Sequence, residues 1–289
     1  MQLTDLIGNT PLIKLNTFST SAMSVFAKLE GQNPGGSIKD RVALSLIEDL
    51  ERKNLINKDK IIIEPSSGNT GIGLAMIGAA KGYQITIMLP ETATPERTKI
   101  LDYFGAKILY CSAQDWIGDT AIEKVKTITT QDPRYVMPNQ YENPVCVEVH
   151  YQTTATEIIE QCPQITHLIA TIGTGGTITG IGKKLKEYNP AIQIWGVEIK
   201  PGSKIPGPRS LQGYIPPIID FSIIDRRIMI EDETAVFGLA KQIAQQEGIF
   251  CGISSAAALH AAYREINAQE NSNLVVIFPD RGDKYISLL

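Results

Sequence analysis

Short apolar, β-branched runs alternate along the chain with longer stretches of helical character. Residues 61–65 (IIIEP), 84–89 (QITIML) and 107–110 (KILY) read as strands in the first half. Residues 167–171 (HLIAT), 193–198 (QIWGVE) and 273–278 (NLVVIF) read as strands in the second. Runs this short and this continuously apolar suit strands covered on both faces, and the helical stretches between them supply the cover. Residues 71–82 (GIGLAMIGAAKG) form one such helix. Another starts at Thr94 with Pro95 at its first position, and Gly105 suits the residue just past its end. The pattern predicts an α/β protein built of twisted, mostly parallel sheets flanked by helices. No internal repeat or low-complexity linker interrupts it.

Three glycine-rich or serine-rich turns stand out where strands meet helices. Gly173-Thr174-Gly175-Gly176-Thr177 follows the strand 167–171 and opens a helix. Glycines let several N–H groups converge on one anion, and the helix dipole and two hydroxyls add to the attraction. Ile178 breaks the GxGxxG fingerprint of dinucleotide sites. At Gly31 and Gly36 a P-loop spacing exists, but Ser37 and Ile38 occupy the Lys and Ser/Thr positions. A monophosphate cradle or a tight structural turn remains. Ser66-Ser67-Gly68-Asn69-Thr70-Gly71 is a second strand-to-helix loop, polar enough to hold a carboxylate or simply to cap its helix. Gly252-Ile253-Ser254-Ser255-Ala256 misses the nucleophile elbow GxSxG at Ala256, and no histidine pairs with it convincingly.

The stretch 33–41 (NPGGSIKDR) carries a lysine, Lys39, in the first turn of a predicted helix, with Ser37 as N-cap and Asp40 as the capping-box carboxylate. The positive end of a helix disfavours a second cation, and a buried lysine readily loses its proton. Lys39 therefore suits a Schiff base, or is a surface lysine that falls near a helix start.

Charge and composition narrow the field. The 27 basic and 31 acidic side chains give a net charge of −4, with no basic run to hold a nucleic acid. The start of the chain lacks the features of a secretory signal, and no apolar stretch approaches the roughly 20 residues of a membrane helix. The expected setting is the cytoplasm. Cys111, Cys146, Cys162 and Cys251 lack CxxC spacing, and His150, His167 and His260 are scattered. Neither disulfides nor a metal site is expected, and the histidines read as ordinary structural or surface residues.

Taken in order, 33–41, 64–73, 172–180 and 251–255 resemble the cysteine synthase family of fold-type II pyridoxal-phosphate (PLP) enzymes, whose fold is like that of the tryptophan synthase β subunit. The likeness runs from 7–15 (IGNTPLIKL) to 280–287 (DRGDKYIS). In 205–209 (IPGPR), IFCGISS and DRGDKY it is nearest the cysteine synthase B branch. The resemblance implies two domains, residues 40–140 and residues 1–39 plus 141–289, and a homodimer. It implies that Lys39 holds PLP as a Schiff base and later removes the Cα proton. Gly173, Thr174, Gly175, Gly176 and Thr177 would hold the phosphate, Asn69 the 3′-oxygen, and Ser254 the pyridine nitrogen. Ser66, Ser67, Gly68, Thr70 and Gln140 would hold the substrate carboxylate. A neutral Ser254 makes a weaker electron sink than an acid would, favouring replacement at Cβ over transamination or racemisation.

The implied reaction replaces the acetoxy group of O-acetyl-L-serine by sulfide or thiosulfate, through an α-aminoacrylate, giving L-cysteine. Arg209 opens alternatives with anionic partners such as O-phosphoserine, and it reads equally as a surface arginine. Other donors and acceptors also fit the family: homocysteine in a cystathionine β-synthase-type reaction, or cysteine with release of sulfide. From another class, the chain would be an idle scaffold binding a partner, such as the C-terminal tail of serine acetyltransferase. The chain departs from the family pattern at Ala155, Ala256 and Val145-Cys146-Val147, which add methyls or a different backbone preference near the implied site and leave substrate detail open without touching cofactor binding.

Overall fold

The computed structural model describes residues 1–112, 120–266 and 272–289. Its strands are β1 (Leu12–Lys14), β2 (Met23–Leu29), β3 (Ile61–Pro65), β4 (Gln84–Pro90), β5 (Lys107–Cys111), β6 (Tyr135–Val136), β7 (His167–Thr171), β8 (Gln193–Ile199), β9 (Arg226–Ile230) and β10 (Ser272–Phe278). Its α-helices are α1 (Lys39–Arg52), α2 (Asn69–Lys81), α3 (Pro95–Tyr103), α4 (Thr120–Gln131), α5 (Val145–Val149), α6 (Ala155–Gln161), α7 (Gly176–Tyr188), α8 (Glu233–Glu247) and α9 (Ile253–Glu265).

Two sheets organise these elements into two α/β domains. One has six strands in the order β1-β2-β10-β7-β8-β9, the other four in the order β5-β4-β3-β6. Every pairing is parallel except β1 with β2. The larger sheet is packed on both faces. Apolar residues of α8 and α9 form one layer with Val276 and Phe278, and those of α6 and α7 form the other with Val275 and Ile277. Adjacent residues of β10 thus feed opposite cores, as the two-residue period of a strand requires. In the smaller domain α1 and α2 share one apolar cluster with Ile62, Ile85 and Ile87. Helix α2 is buried through its first nine or so positions and apolar on all sides.

The sequence-based strands all form, within a residue or so at the ends. Strands β1, β2, β6 and β9 carry no comparable signal. Within β2, the side chain of Lys28 is fully buried and donates to Glu157 at 2.7 Å and to the Thr10 carbonyl at 2.6 Å. Arg41 of α1 bonds both Glu157 and Glu30, so two cations and two carboxylates lie buried together. Burial pushes Glu157 up, but Arg41 and Lys28 outweigh it and hold it at about 2. The cluster clamps the segment at Gly8–Thr10 against α1 through N–H groups of Asn9 and Thr10 on Glu157.

The start of α1 corrects one expectation. Ile38, not Ser37, is the N-cap; the Ser37 hydroxyl accepts from the Lys39 N–H at 3.2 Å. Asp40 does not close a capping box on Ser37. Its carboxylate turns back to the Gly35 N–H at 2.5 Å, because the turn at Gly36 (φ +77°) brings that donor within reach.

Candidate active site

A single cavity opens where the C-terminal ends of strands in both sheets meet helix N-termini. Lys39, Ser66, Ser67, Gly68, Asn69, Thr70, Gln140, Gly173, Thr174, Gly175, Thr177, Arg209 and Ser254 all line it. These residues are remote in sequence and come from both domains. Open α/β sheets bind ligands at such carboxyl ends. Of the residues expected at the site, Gly176 alone does not line it; it packs against the carbonyl of Cys146.

Lys39 sits in the first turn of α1. Burial lowers the pKa of its amine, with the nearby Cys146 thiol opposing in part. Cys146 itself is buried and pushed up to about 12 by desolvation, so it stays a neutral thiol. Lysines shift readily when buried, and a lowered pKa raises the fraction of neutral, nucleophilic amine at neutral pH.

The loop 173–177 joins β7 to α7. Gly175 caps α7 with φ +89°, a left-handed backbone conformation, and any Cβ there would overlap Ile219. Among the described residues no acceptor takes the N–H groups of Gly173 to Thr177. Four of these residues, Gly173, Thr174, Gly175 and Thr177, line the cavity at the positive end of a 13-residue helix. The Thr177 hydroxyl lies 3.2 Å from Nε2 of His150, whose Nδ1 lies 3.0 Å from the Thr154 hydroxyl. His150 is fully buried and burial holds its pKa well below the usual value, so it braces the loop as a neutral ring. It belongs to a π-helical turn, His150–Thr154, between α5 and α6, a deviation frequent at functional sites. The scattered histidines give no such signal in sequence.

The segment 66–70 runs from the end of β3 into the first turn of α2. Ser66 Oγ accepts from the Gly71 N–H at 3.0 Å and so braces the loop itself. Thr70 donates to Gln140 Oε1 at 2.6 Å, and Gln140 Nε2 donates to the Pro65 carbonyl at 3.0 Å. Below them Glu64, fully buried, accepts from the N–H groups of Asn139 and Gln140; burial pushes it up to about 8. The N–H groups of Ser67, Asn69 and Thr70 have no acceptor among the described residues, an arrangement suited to a carboxylate.

Ser254 lies in the first turn of α9, 3 % exposed, and its hydroxyl has no hydrogen-bond partner among the described residues. Arg209 stacks on Tyr141 and Tyr214, with ring centres 5.3 and 5.1 Å away. Ala155 and Ala256 are fully buried in the apolar layers and do not line the cavity, so their methyls are not part of its wall. Arg97, Tyr141, Asp280 and Tyr285 line the cavity without having been singled out in sequence. Asp280 and Tyr285 stand in the DRGDKY stretch, which was the available signal.

The cavity thus offers a nucleophilic lysine, a phosphate-sized cradle on a helix end, a second anion site and a free hydroxyl. Such a set fits an aldehyde cofactor with a phosphate arm. The family model for pyridoxal-phosphate dependent enzymes matches residues 3–280, and the chain belongs to that family. Within it, relatives at 39–42% identity are cysteine synthases. The cysteine synthase of Staphylococcus aureus is 39% identical over 99% of this chain and 95% of its own length. A hydrogen sulfide-producing enzyme from Fusobacterium nucleatum superposes with a TM-score of 0.92 at 38% identity, covering 99% of this chain and 97% of the other. A cysteine synthase from Entamoeba histolytica superposes with a TM-score of 0.88 at 32% identity, covering 99% and 89%. Among the described residues no helix is long and apolar enough to cross a membrane, and no cluster could hold a metal ion.

Proposed function

We propose that this chain makes L-cysteine by β-replacement, with O-acetyl-L-serine as donor and sulfide as acceptor. The convergence of Lys39, the loops 66–70 and 173–177, and Ser254 on one cavity carries the reading. When bound, PLP supplies the electron sink that lets a proton leave Cα and an acetoxy group leave Cβ. The loop 173–177 grips its phosphate through backbone N–H groups. The Lys39 amine, its pKa lowered by burial, would hold the cofactor covalently and, once released, could take the Cα proton. Asn69 faces the ring's 3′-oxygen, and the loop 66–70 with Gln140 orients the substrate carboxylate. Residues 40–140 form the smaller domain and 1–39 plus 141–289 the larger. The protein works in the cytoplasm as a homodimer of the cysteine synthase B type, and a serine acetyltransferase tail is a partner that fits its cavity.

Steady-state assays of O-acetylserine, O-phosphoserine, serine and cysteine, each with sulfide and with thiosulfate, test this. The highest kcat/KM is expected for O-acetylserine with sulfide. The likeness to the Fusobacterium nucleatum enzyme favours a second reading, release of sulfide from cysteine, and a higher kcat/KM for that reaction would replace the first. A purified protein without PLP would favour the idle scaffold.

Ser254 stands at the positive end of α9 with its hydroxyl free, a setting that discourages a proton on a pyridine nitrogen beside it. Ser254→Ala is expected to keep PLP and to lose up to about tenfold in rate, since a neutral hydrogen bond is worth roughly 0.5–1.5 kcal/mol. Ser254→Asp should disturb turnover more. A Ser254→Ala protein that emerges unfolded or free of cofactor would assign the serine a structural role.

Arg209 borders the same cavity, and its loop is pinned by its own N–H on the Ile172 carbonyl at 2.8 Å. Its guanidinium fork suits phosphate or thiosulfate oxygens. A charge-assisted contact is worth roughly 1.5–3 kcal/mol, so Arg209→Ala should cost about 10- to 150-fold in kcat/KM with O-phosphoserine or thiosulfate. O-acetylserine with sulfide should change far less. Equal losses for all pairs would mean that stacking on Tyr141 and Tyr214, not anion binding, is the role of Arg209.

A further inference from the structure

Asn69 is gripped at both ends. Its Nδ2 donates to Asp280 Oδ2 at 2.7 Å, and its Oδ1 accepts from Lys284 Nζ at 3.0 Å. A carboxylate on one side and an ammonium on the other fix which way the amide points. One N–H of the amide is left for the cavity that Asn69 lines.

Asp280 is the hub of this arrangement. It is 3 % exposed, two residues past the end of β10, and lines the cavity. Its Oδ2 also accepts from the Tyr285 hydroxyl, and Arg97 stacks on the Tyr285 ring with its guanidinium 5.0 Å from the centre. Its Oδ1 has no partner and presses on Gly252, where any Cβ would overlap it. The Gly252 N–H donates to the Asp280 carbonyl at 3.0 Å. Asp280 therefore touches both Asn69 and the turn that carries Ser254. Lys284 completes the frame, donating to the carbonyls of Gly35 and Gly36 just before α1.

A buried carboxylate that served only to anchor the C-terminal segment would need Tyr285 and no more. Asp280 instead also accepts from a cavity-lining amide and leaves its other oxygen unpaired, an expensive arrangement unless the amide's direction matters. We propose that Asp280 is a positioning residue, which with Lys284 aims the free N–H of Asn69 at the bound cofactor ring and polarises it. The proposal rests on the reading of this cavity as the PLP site and adds a residue to it.

The test is Asp280→Asn in the full chain, reconstituted with pyridoxal 5′-phosphate. Affinity is measured on the apo-protein, and the ratio of the bound cofactor's absorption bands reports the environment of its 3′-oxygen. PLP affinity is expected to fall about tenfold or more, as for the loss of a charge-assisted hydrogen bond, and the band ratio to change. In an Asn69→Ala background the further substitution Asp280→Asn should change neither, because the amide it aims is gone. Wild-type affinity and spectrum in Asp280→Asn, or equal effects with and without Asn69, would overturn the proposal. If Asp280→Asn does not fold, Tyr285→Phe decides: a changed band ratio supports the proposal and an unchanged one overturns it. A wild-type protein that takes up no PLP would instead remove the reading of the cavity.

Discussion

Lys39→Ala should give a folded but colourless protein with almost no turnover. The substitution removes covalent anchor and base together, and general-base catalysis alone is worth roughly 10²–10⁴. Lys39 lines the cavity and Lys284 reaches it only through Asn69, and burial lowers the pKa of both amines. Lys284 Nζ is committed to three oxygen acceptors, on Gly35, Gly36 and Asn69. Those acceptors, with Asp280 and Asp40 nearby, favour its charged form and hold it in place. Lys39 Nζ has no hydrogen-bond partner among the described residues and loses its proton more readily once desolvated. The free amine is the better nucleophile. Borohydride reduction followed by peptide mapping should find the cofactor on Lys39, and a cofactor found on Lys284 would sink the assignment.

The features legible in the sequence are those whose physics is local. The strand at 61–65 is a run of three isoleucines, and Gly173 to Thr177 announce a turn onto a helix. What stays hidden depends on partners far away in the chain. Lys28 looks like a charge on an exposed strand until Glu157 is brought to it, and Asp280 looks like a turn residue until Asn69 reaches it from the other domain. Burial of ionisable groups runs against the hydrophobic pattern, so nothing in a window of sequence marks them. His150 is hidden for the same reason: its contact with Thr177 is made only because the π-helical turn points the ring at α7. Asp40 shows the converse error, where a local motif was legible but the glycine turn offered its carboxylate a nearer donor.

Gly175→Ala should weaken PLP binding about 10²- to 10³-fold. Gly175 combines two demands that only glycine meets. Its φ of +89° lies in the left-handed region, which costs an alanine roughly 1–2 kcal/mol. A Cβ would also run into Ile219, a branched side chain behind the loop, so the loop must move. Displacing it misaligns N–H groups that act together on one phosphate, each charge-assisted bond worth roughly 1.5–3 kcal/mol. Strain and one such bond together account for the expected fold-change. Gly213→Ala is the matched control, because nothing lies within 4 Å of a Cβ there and φ is not in the left-handed region. Titration of each apo-variant with PLP, alongside its melting temperature, separates cradle from scaffold. A Gly175→Ala protein that melts lower but binds PLP like the wild type would show that the turn is structural and that the phosphate sits elsewhere.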